Sequence, residues 1–567
     1  MPPVRPSLVI LMTTLLAGTV VAGCISSYGP KADEPVVDPM AALSEPVYDL
    51  LESFNVKVTG HDGKLQDTWV YKPKTNDSDA TFPVFINFSP YWTNLAGDHS
   101  TGGDAFSKYM IDYFVPRGYA VVLASVRGTG HSEGCFPIGG VAELEDAYSV
   151  VDHFAKVEWS NGKVAAGGKS YDGTTIQGLV GYKPHEALKL IFPVSGISEL
   201  YKYNYRNGAP YFHGTIFNAY YQLMVGGDMN PFSPAESKPK TDEPTLVVDD
   251  YACADTPEVQ AEGIGSAATG LYTDYWKERD YTQYASNIET AFFFVHGFQD
   301  WNVKPDHILP WLDVIPEDVP VKAWLHQWTQ DGTGHVYPMR DDWNLTMLRM
   351  MDHFLKDIDT GILEEPMFQV QDSTGIWRDE GSWPPEDVET LSLHPVVDGT
   401  LATEPESGTH MQTARATAAM EWTFEVEETL HYAGEPLLRA NLVTSNPNTI
   451  WVAQLWMEHN GTRTWMNEGV LRASLRDSLE TPSPVVPGQA YDYTIPFYPQ
   501  DDVFPAGSKL ILTLAQGGSR QSVVTTDDEP VLTRVDLGKT ALELPVLDVT
   551  GLRYEDPQPV ETVCWTC

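Results

Sequence analysis

Between Val47 and Phe354, short and almost unbroken apolar runs alternate with stretches whose apolar residues recur every three or four positions. The runs Phe82 to Phe88, Tyr119 to Val126, Lys163 to Ala166, Leu188 to Val194, Ala291 to His296 and Val321 to Gln327 predict strands. A strand that is apolar on both sides belongs in a sheet covered on both faces, and its alternation with helices predicts a parallel sheet. The periodic stretch Asp146 to Val157 predicts the helix ahead of the third run. Between Ser198 and Asn287 the rhythm breaks. Aromatic, Gly and Asn residues crowd Tyr201 to Asp228, helix-like Thr256 to Tyr275 follows, and together they predict an inserted helical cap over about 198–287. Beyond Pro366 the pattern changes again. Asp372 to Pro385 is turn-rich, and Trp422 to Glu427, Thr449 to Glu458, Ala490 to Ile495 and Leu510 to Leu514 alternate with turns, which predicts a β-sandwich or jelly roll. The expected organisation is an α/β domain over 46–365 and an all-β domain over 366–567.

The N-terminus has a different pattern. Arg5 stands in an acid-free start, Leu8 to Gly23 is uncharged and apolar, and Val21-Ala22-Gly23 precede Cys24. A basic start, a short apolar run and small residues before a cut predict an export signal over 1–23. Cysteine directly after those small residues resembles a prokaryotic lipoprotein signal, with Cys24 lipidated and 24–45 as a polar, Pro-rich tether; the alternative is plain cleavage. The expected location is the outer face of a cell membrane, held by the lipid, or the medium.

Composition narrows the partners. The 567 residues carry 78 acids against 36 bases, a net charge of −42, with no single long acidic run. Phosphate recognition needs clustered Lys and Arg, so nucleic acid is not expected. A broadly acidic surface suits a saline environment, where salt screens self-repulsion. Besides Cys24 there are Cys135, Cys253, Cys564 and Cys567, an even number compatible with disulfides in an exported chain. Cys564-Trp-Thr-Cys567 has no second pair of zinc spacing beside it, so a structural role is expected and no metal or cofactor is assigned.

The chemistry centres on Ala165-Ala-Gly-Gly-Lys-Ser170-Tyr-Asp-Gly173, where a serine follows a short strand. A nucleophile elbow reads G-x-S-x-G; here Asp172 takes the last glycine's place and Gly173 follows it. On the α/β-hydrolase plan an acid and then a histidine must come later, each after a strand. Asp300 follows Phe292-Phe-Phe-Val-His-Gly, with Asp306 and Asp313 as rivals in the stretch beyond. His335 sits in the Gly-flanked loop Asp331-Gly-Thr-Gly-His335 after the Val321 strand, with His326 as its rival within that strand. Such a histidine takes the serine proton while the acid orients it. The oxyanion donors expected are the Tyr171 N–H and, in place of a second backbone donor, the Tyr91 hydroxyl from Asn87-Phe-Ser-Pro-Tyr91.

Ser89-Pro-Tyr91, Val126-Arg-Gly-Thr-Gly-His-Ser-Glu-Gly134, Gly168-Lys-Ser170-Tyr-Asp-Gly173, His296-Gly-Phe-Gln-Asp300-Trp-Asn-Val-Lys304 and Gly334-His335 together resemble the Xaa-Pro dipeptidyl-peptidase family of serine peptidases. That superfamily also holds cocaine esterase and the α-amino acid ester hydrolases. The resemblance runs over about 47–552, because Trp377-Arg-Asp-Glu-Gly-Ser-Trp-Pro384 opens what looks like the family's galactose-binding-like jelly roll. It implies a Ser170, Asp300, His335 triad, an oxyanion hole from Tyr91 and Tyr171, and a structural loop at Arg127 to Gly134. In the family the glycine comes three places after the serine, as Gly173 does, and Asp172 replaces a commonly apolar residue. The activity implied is release of Xaa-Pro dipeptides. Its alternatives are an esterase or acylase of the same superfamily and a glycan-binding surface lipoprotein with an inactive hydrolase domain. Glu199, Tyr201, Tyr205 and Trp301 stand where substrate residues are expected, or pack the cap.

Overall fold

The structure is a computed structural model and describes residues 43–92, 98–211, 269–327, 340, 342–522 and 530–548. The expected export signal, Cys24 and nearly all of the tether, most of the cap, His335, Cys253, Cys564 and Cys567 lie outside the described residues. No helix among the described residues is long and apolar enough to cross a membrane.

The first domain is built on β1 (Leu51–Thr59), β2 (Leu65–Pro73), β3 (Phe82–Ser89), β4 (Ala120–Ser125), β5 (Ser160–Lys169) and β6 (Leu188–Val194). After a small hairpin of β7 (Tyr205–Arg206) and β8 (Ala209–Pro210) come β9 (Ala291–Gly297), β10 (Val321–His326), β11 (Phe368–Gln371) and β12 (Trp377–Glu380). One sheet joins all but that hairpin, in the order β1-β2-β4-β3-β5-β6-β9-β10-β11-β12. Its middle is parallel from β4 across to β11, and antiparallel strands close both edges.

The apolar runs are explained by helices on both faces. In β3, Val84, Ile86 and Phe88 join a core with Leu144 and Phe154 of α2 (Val141–Lys156) and Ile176 and Leu179 of α3 (Tyr171–Tyr182). The intervening Phe85 points the other way, into a core with Phe106 and Met110 of α1 (Ala105–Phe114) and Met347 and Leu355 of the helix Trp343–Lys356. In β9, Phe292 and Phe294 alternate with Phe293 and Val295 in the same manner.

Three features differ from expectation. Edge strand β1 alternates exposed with partly buried side chains, and β2 beside it buries polar Gln66, Asp67 and Thr68, so neither leaves an apolar run in the sequence. The helix expected from Asp146 begins at Val141. Strands β11 and β12 lie past residue 366 yet complete the α/β sheet, so that sheet runs into the segment assigned to the second domain.

The second domain is an all-β sandwich. One sheet runs Met420–Val426, Ser508–Ala515, Ile450–His459, Thr462–Arg472. The other gathers on the 16-residue strand Val531–Val546, which pairs with Glu389–Pro395, Thr409–Ala414, Leu430–Gly434 and Leu437–Thr444. Trp422, Trp451, Leu512 and Leu544 share its core. The sandwich is stitched to the first domain by Arg206, which donates to the carbonyl oxygens of Pro496 at 3.2 Å and Phe497 at 2.5 Å. Gln500 Nε2 adds a bond to the Phe298 carbonyl at 2.7 Å.

Candidate active site

Neighbouring strands release their chains at one edge of the sheet. β5 ends at Lys169 and α3 begins at Tyr171, so Ser170 alone makes the turn, with φ 64° and ψ −128°. A left-handed φ at a non-glycine residue costs energy and persists where the surroundings impose it. Here they do: Ser170 N donates to the Val194 carbonyl at 2.9 Å, and the Ser170 carbonyl accepts from Gly173 N at 3.0 Å and Thr174 N at 3.1 Å. Strand, sharp turn and helix lift the hydroxyl above the sheet, the arrangement of a nucleophile elbow. Both glycines are required by close approach. A Cβ on Gly173 would lie 2.8 Å from the Gly168 carbonyl oxygen, and one on Gly168 would lie 2.5 Å from the Asp172 Cβ.

The next exits follow the same geometry. Ser195 N donates to the Val295 carbonyl at 2.8 Å, and Phe298 N to the His326 carbonyl at 2.7 Å, which ties the ends of β6, β9 and β10 together. Asp300 lies in the turn after β9, fully buried, with Oδ1 accepting the N–H groups of Asn302 and Val303 at 2.9 Å each. Its negative charge reaches both Lys169, beside Ser170, and His326. The segment that carries His335 leaves from the end of β10, where Gln327 N donates to Gln371 Oε1 at 3.1 Å.

The rival residues are occupied elsewhere. His326 is buried within β10; burial, with His296 adding, pulls its imidazole down to about 3, so it stays neutral at physiological pH. Asp306 forms an ion pair with Arg206 at 3.0 Å. Asp313 lies at the surface after a short helix, Leu309–Leu312. Asp300 is thus the acid that the fold brings to the Ser170 side of the sheet.

Tyr91 follows β3 on the other side of β5. Its N–H donates to Ser89 Oγ at 3.1 Å, and its half-buried ring meets the Tyr171 ring edge-on at 6.5 Å. Tyr171 is fully buried and its phenol donates to Glu143 Oε2 at 2.8 Å. Glu143 also accepts from Thr175 Oγ1 at 2.6 Å and Gly139 N at 3.1 Å. Burial pushes its carboxyl up, against these bonds and the Arg279 charge. Sequence reasoning missed Glu143, although it falls on the α2 face with Ala147, Val150, Val151 and Phe154, where an acid inside an apolar stripe is a signal.

Among the candidate substrate residues, Tyr201 and Tyr205 stack at 5.0 Å, both edge-on to Trp276, and neither is exposed by more than 1%. Tyr201 donates to the Gly270 carbonyl at 2.5 Å. These two rings form the packed base of the cap. Glu199 is buried beside them with Lys202 Nζ at 3.5 Å; burial pushes its carboxyl up to about 7, with Asp280 and Asp306 adding and Lys202 opposing. Trp301, half-buried, contacts Trp465 at 4.9 Å and Tyr498 at 5.5 Å, so the β-sandwich closes on the loop that carries Asp300.

Arg127 donates to Asp62 at 2.6 Å and Asp146 at 3.0 Å. His61, Asp62 and Asp146 bring potential ligand atoms within 4.8 Å, and the guanidinium supplies the positive charge there. Cys135 is disulfide-bonded.

Residues 62–330 match the family model for X-Pro dipeptidyl-peptidase (S15 family), and 360–541 match the one for the X-Pro dipeptidyl-peptidase C-terminal non-catalytic domain. A Bacillus anthracis protein named for Xaa-Pro dipeptidyl-peptidase activity is 28% identical over 542 residues, covering 83% of this chain and 85% of its own length. A CocE/NonD family hydrolase from Staphylococcus aureus superposes with a TM-score of 0.71 at 16% identity, over 88% of this chain and 94% of its own. An alpha-amino acid ester hydrolase gives a TM-score of 0.67 at 17% identity, over 92% of this chain and 100% of its own. At such identities the two structures speak for the fold, whereas the two consecutive family models cover catalytic and C-terminal domains in order. The chain therefore belongs to the X-Pro dipeptidyl-peptidase family of serine peptidases.

Proposed function

We propose that this protein releases Xaa-Pro dipeptides from peptide N-termini through an acyl-enzyme formed on Ser170. The observation that carries the reading is the strained turn at Ser170 between β5 and α3, with Asp300 at a nearby strand exit, inside a chain of this family. His335 takes the Ser170 proton as the hydroxyl attacks the carbonyl carbon of the proline residue, and Asp300 orients the imidazole and supports its charge. The Tyr171 N–H and the Tyr91 hydroxyl receive the developing negative charge. His335 then protonates the leaving amine, and water attacks the acyl-enzyme by the same route in reverse. Of the substrate candidates, Glu199 and Trp301 are proposed to line the dipeptide site, with Tyr201 and Tyr205 supporting it from the cap.

Rates on a Gly-Pro anilide, a Gly-Ala anilide and a p-nitrophenyl ester test the substrate. A strong preference for Gly-Pro is expected, equal anilide rates remove the proline requirement, and activity on the ester alone makes the protein an esterase. Labelling of Ser170 by a fluorophosphonate separates all of these from an inactive binding protein. We further propose export with lipid on Cys24; mass spectrometry of the mature N-terminus is expected to find a diacylglyceryl group there, and an unmodified Cys24 sinks the anchor.

A further inference from the structure

Glu143 is a buried acid that takes no part in the acyl-transfer steps, yet its two oxygens meet three donors. Oε2 accepts from the Tyr171 phenol at 2.8 Å and from Gly139 N at 3.1 Å, and Oε1 accepts from Thr175 Oγ1 at 2.6 Å. Tyr171 and Thr175 stand four positions apart and so share one face of α3. One carboxyl on α2 therefore grips the start of α3, where the turn at Ser170 becomes a helix. Gly139 lies in the loop just ahead of α2, and the returning end of the cap secures that loop. The Tyr281 phenol donates to the Gly139 carbonyl at 2.8 Å, and Arg279 donates to the carbonyls of Ile138 at 3.0 Å and Pro137 at 2.9 Å.

Both expected oxyanion donors converge on the residue so gripped. The Tyr171 N–H is one of them, and the Tyr171 ring meets the Tyr91 ring edge-on at 6.5 Å, with Phe136 at 5.8 Å. The left-handed φ of Ser170 persists only while its surroundings hold it. The Val194 carbonyl holds it from the strand side, and Glu143 holds the helix side. We infer that Glu143 is a positioning residue for the oxyanion hole: its grip on Tyr171 and Thr175 fixes the start of α3, and so the direction of the Tyr171 N–H, while the held Tyr171 ring braces Tyr91. The inference rests on the serine-hydrolase reading above. Oxyanion donors act because they are aimed in advance at the place where charge develops, and a displacement of about 1 Å can cost about 10²-fold in rate.

The test uses the full chain and two readouts: kcat and KM on Gly-Pro anilide, and the rate of inactivation by a fluorophosphonate. The second depends on the oxyanion hole but not on the peptide. Glu143→Ala, kept below its unfolding transition, is expected to lower kcat and the inactivation rate about tenfold each with KM within about twofold, part of what loss of a whole oxyanion donor costs. Glu143→Gln keeps an oxygen for Tyr171 and Gly139 and turns its amide to Thr175, so it is expected to recover both rates to within about threefold of wild type. Tyr171→Phe removes the phenol alone and is expected to lower both rates about fivefold; added to Glu143→Ala it should cost less than about twofold more, because both act through one contact. Undiminished rates in folded Glu143→Ala, a Glu143→Gln protein as slow as Glu143→Ala, or a loss confined to KM overturns the inference. Should Glu143→Ala not fold, Tyr171→Phe decides, and unchanged inactivation there overturns the inference as well. A wild-type protein that reacts with the fluorophosphonate but not with Gly-Pro anilide overturns the dipeptide reading alone, since the inactivation rates still read Glu143.

Discussion

Replacing Arg206 by methionine tests the seam that holds the β-sandwich to the α/β domain. The guanidinium is 5% exposed and donates to Asp306 at 3.0 Å, Glu435 at 3.1 Å and the carbonyl oxygens of Pro496 and Phe497. It also lies 4.8 Å over the Tyr498 ring. Methionine fills much of the volume but donates nothing, so the buried Asp306 keeps a charge without its partner. Breaking a buried pair from one side costs about 3–5 kcal/mol. Each stranded carbonyl adds about 1–3 kcal/mol if taken alone, but neighbouring losses overlap, so a total of about 4 kcal/mol is expected. Urea unfolding followed by tryptophan fluorescence suits the measurement, because Trp301 and Trp465 pack 4.9 Å apart on the same seam. With a slope of about 3 kcal/mol per molar urea, the first transition should move down by about 1.3 M. The reasoning fails if the shift is under about 0.3 M, since dehydrating the guanidinium would then cancel everything its partners return. Arg206→Met should also lower kcat, because Asp306 belongs to the turn that follows Asp300.

Ser170→Ala should abolish fluorophosphonate labelling and lower kcat by at least about 10⁴-fold, while circular dichroism stays unchanged; a smaller loss places the nucleophile elsewhere. Tyr91→Phe should cost about 10²-fold in kcat with little change in KM, and a loss confined to KM would make Tyr91 a binding residue instead. Glu143→Ala leaves the Tyr171 phenol and Thr175 hydroxyl unpaired in the core and should destabilise the first domain by about 2–4 kcal/mol, measured by urea unfolding. Asp502 is pushed up to about 7 by burial, with Asp501 and Asp372 adding and Tyr432 opposing. An acid with a raised folded value stabilises most below its unfolded value near 4 and progressively less as pH climbs towards 7. Asp502→Asn should therefore gain stability relative to wild type at pH 8 compared with pH 4, and an equal difference at both pH values would refute the assignment.

Legibility in the sequence followed the range of the interaction. Phe292 to Val295 announced a strand because burial on both faces demands apolar residues at every position, a requirement met within a few residues. The hairpin β1–β2 was hidden because β1 lies at the edge and buries side chains only in part, while β2 buries the polar residues Gln66, Asp67 and Thr68. The strand Val531–Val546 was hidden too, since polar Arg534, Asp536 and Glu543 interrupt it, and its regularity comes from partners up to about 150 residues away, Glu389–Pro395 among them. The three triad candidates were legible from chain order after predicted strands, whereas the seam residue Arg206 was not. Its partners Pro496 and Phe497 stand 290 and 291 positions further on.

Local chemistry thus sufficed for the class of fold, for the expectation of Ser170, Asp300 and His335 as a triad, and for the reading of Gly173 as the glycine of the elbow. Strand exits and turn glycines are properties of short segments, and a short segment carries its own constraints. The folded chain was needed to show that Tyr201 and Tyr205 stack inside the cap, that Glu143 holds Tyr171, and that Asp172 is buried without a side-chain cap bond forming at its helix. In each of these a polar or aromatic side chain has several possible partners, and which one it meets depends on distant elements being packed together.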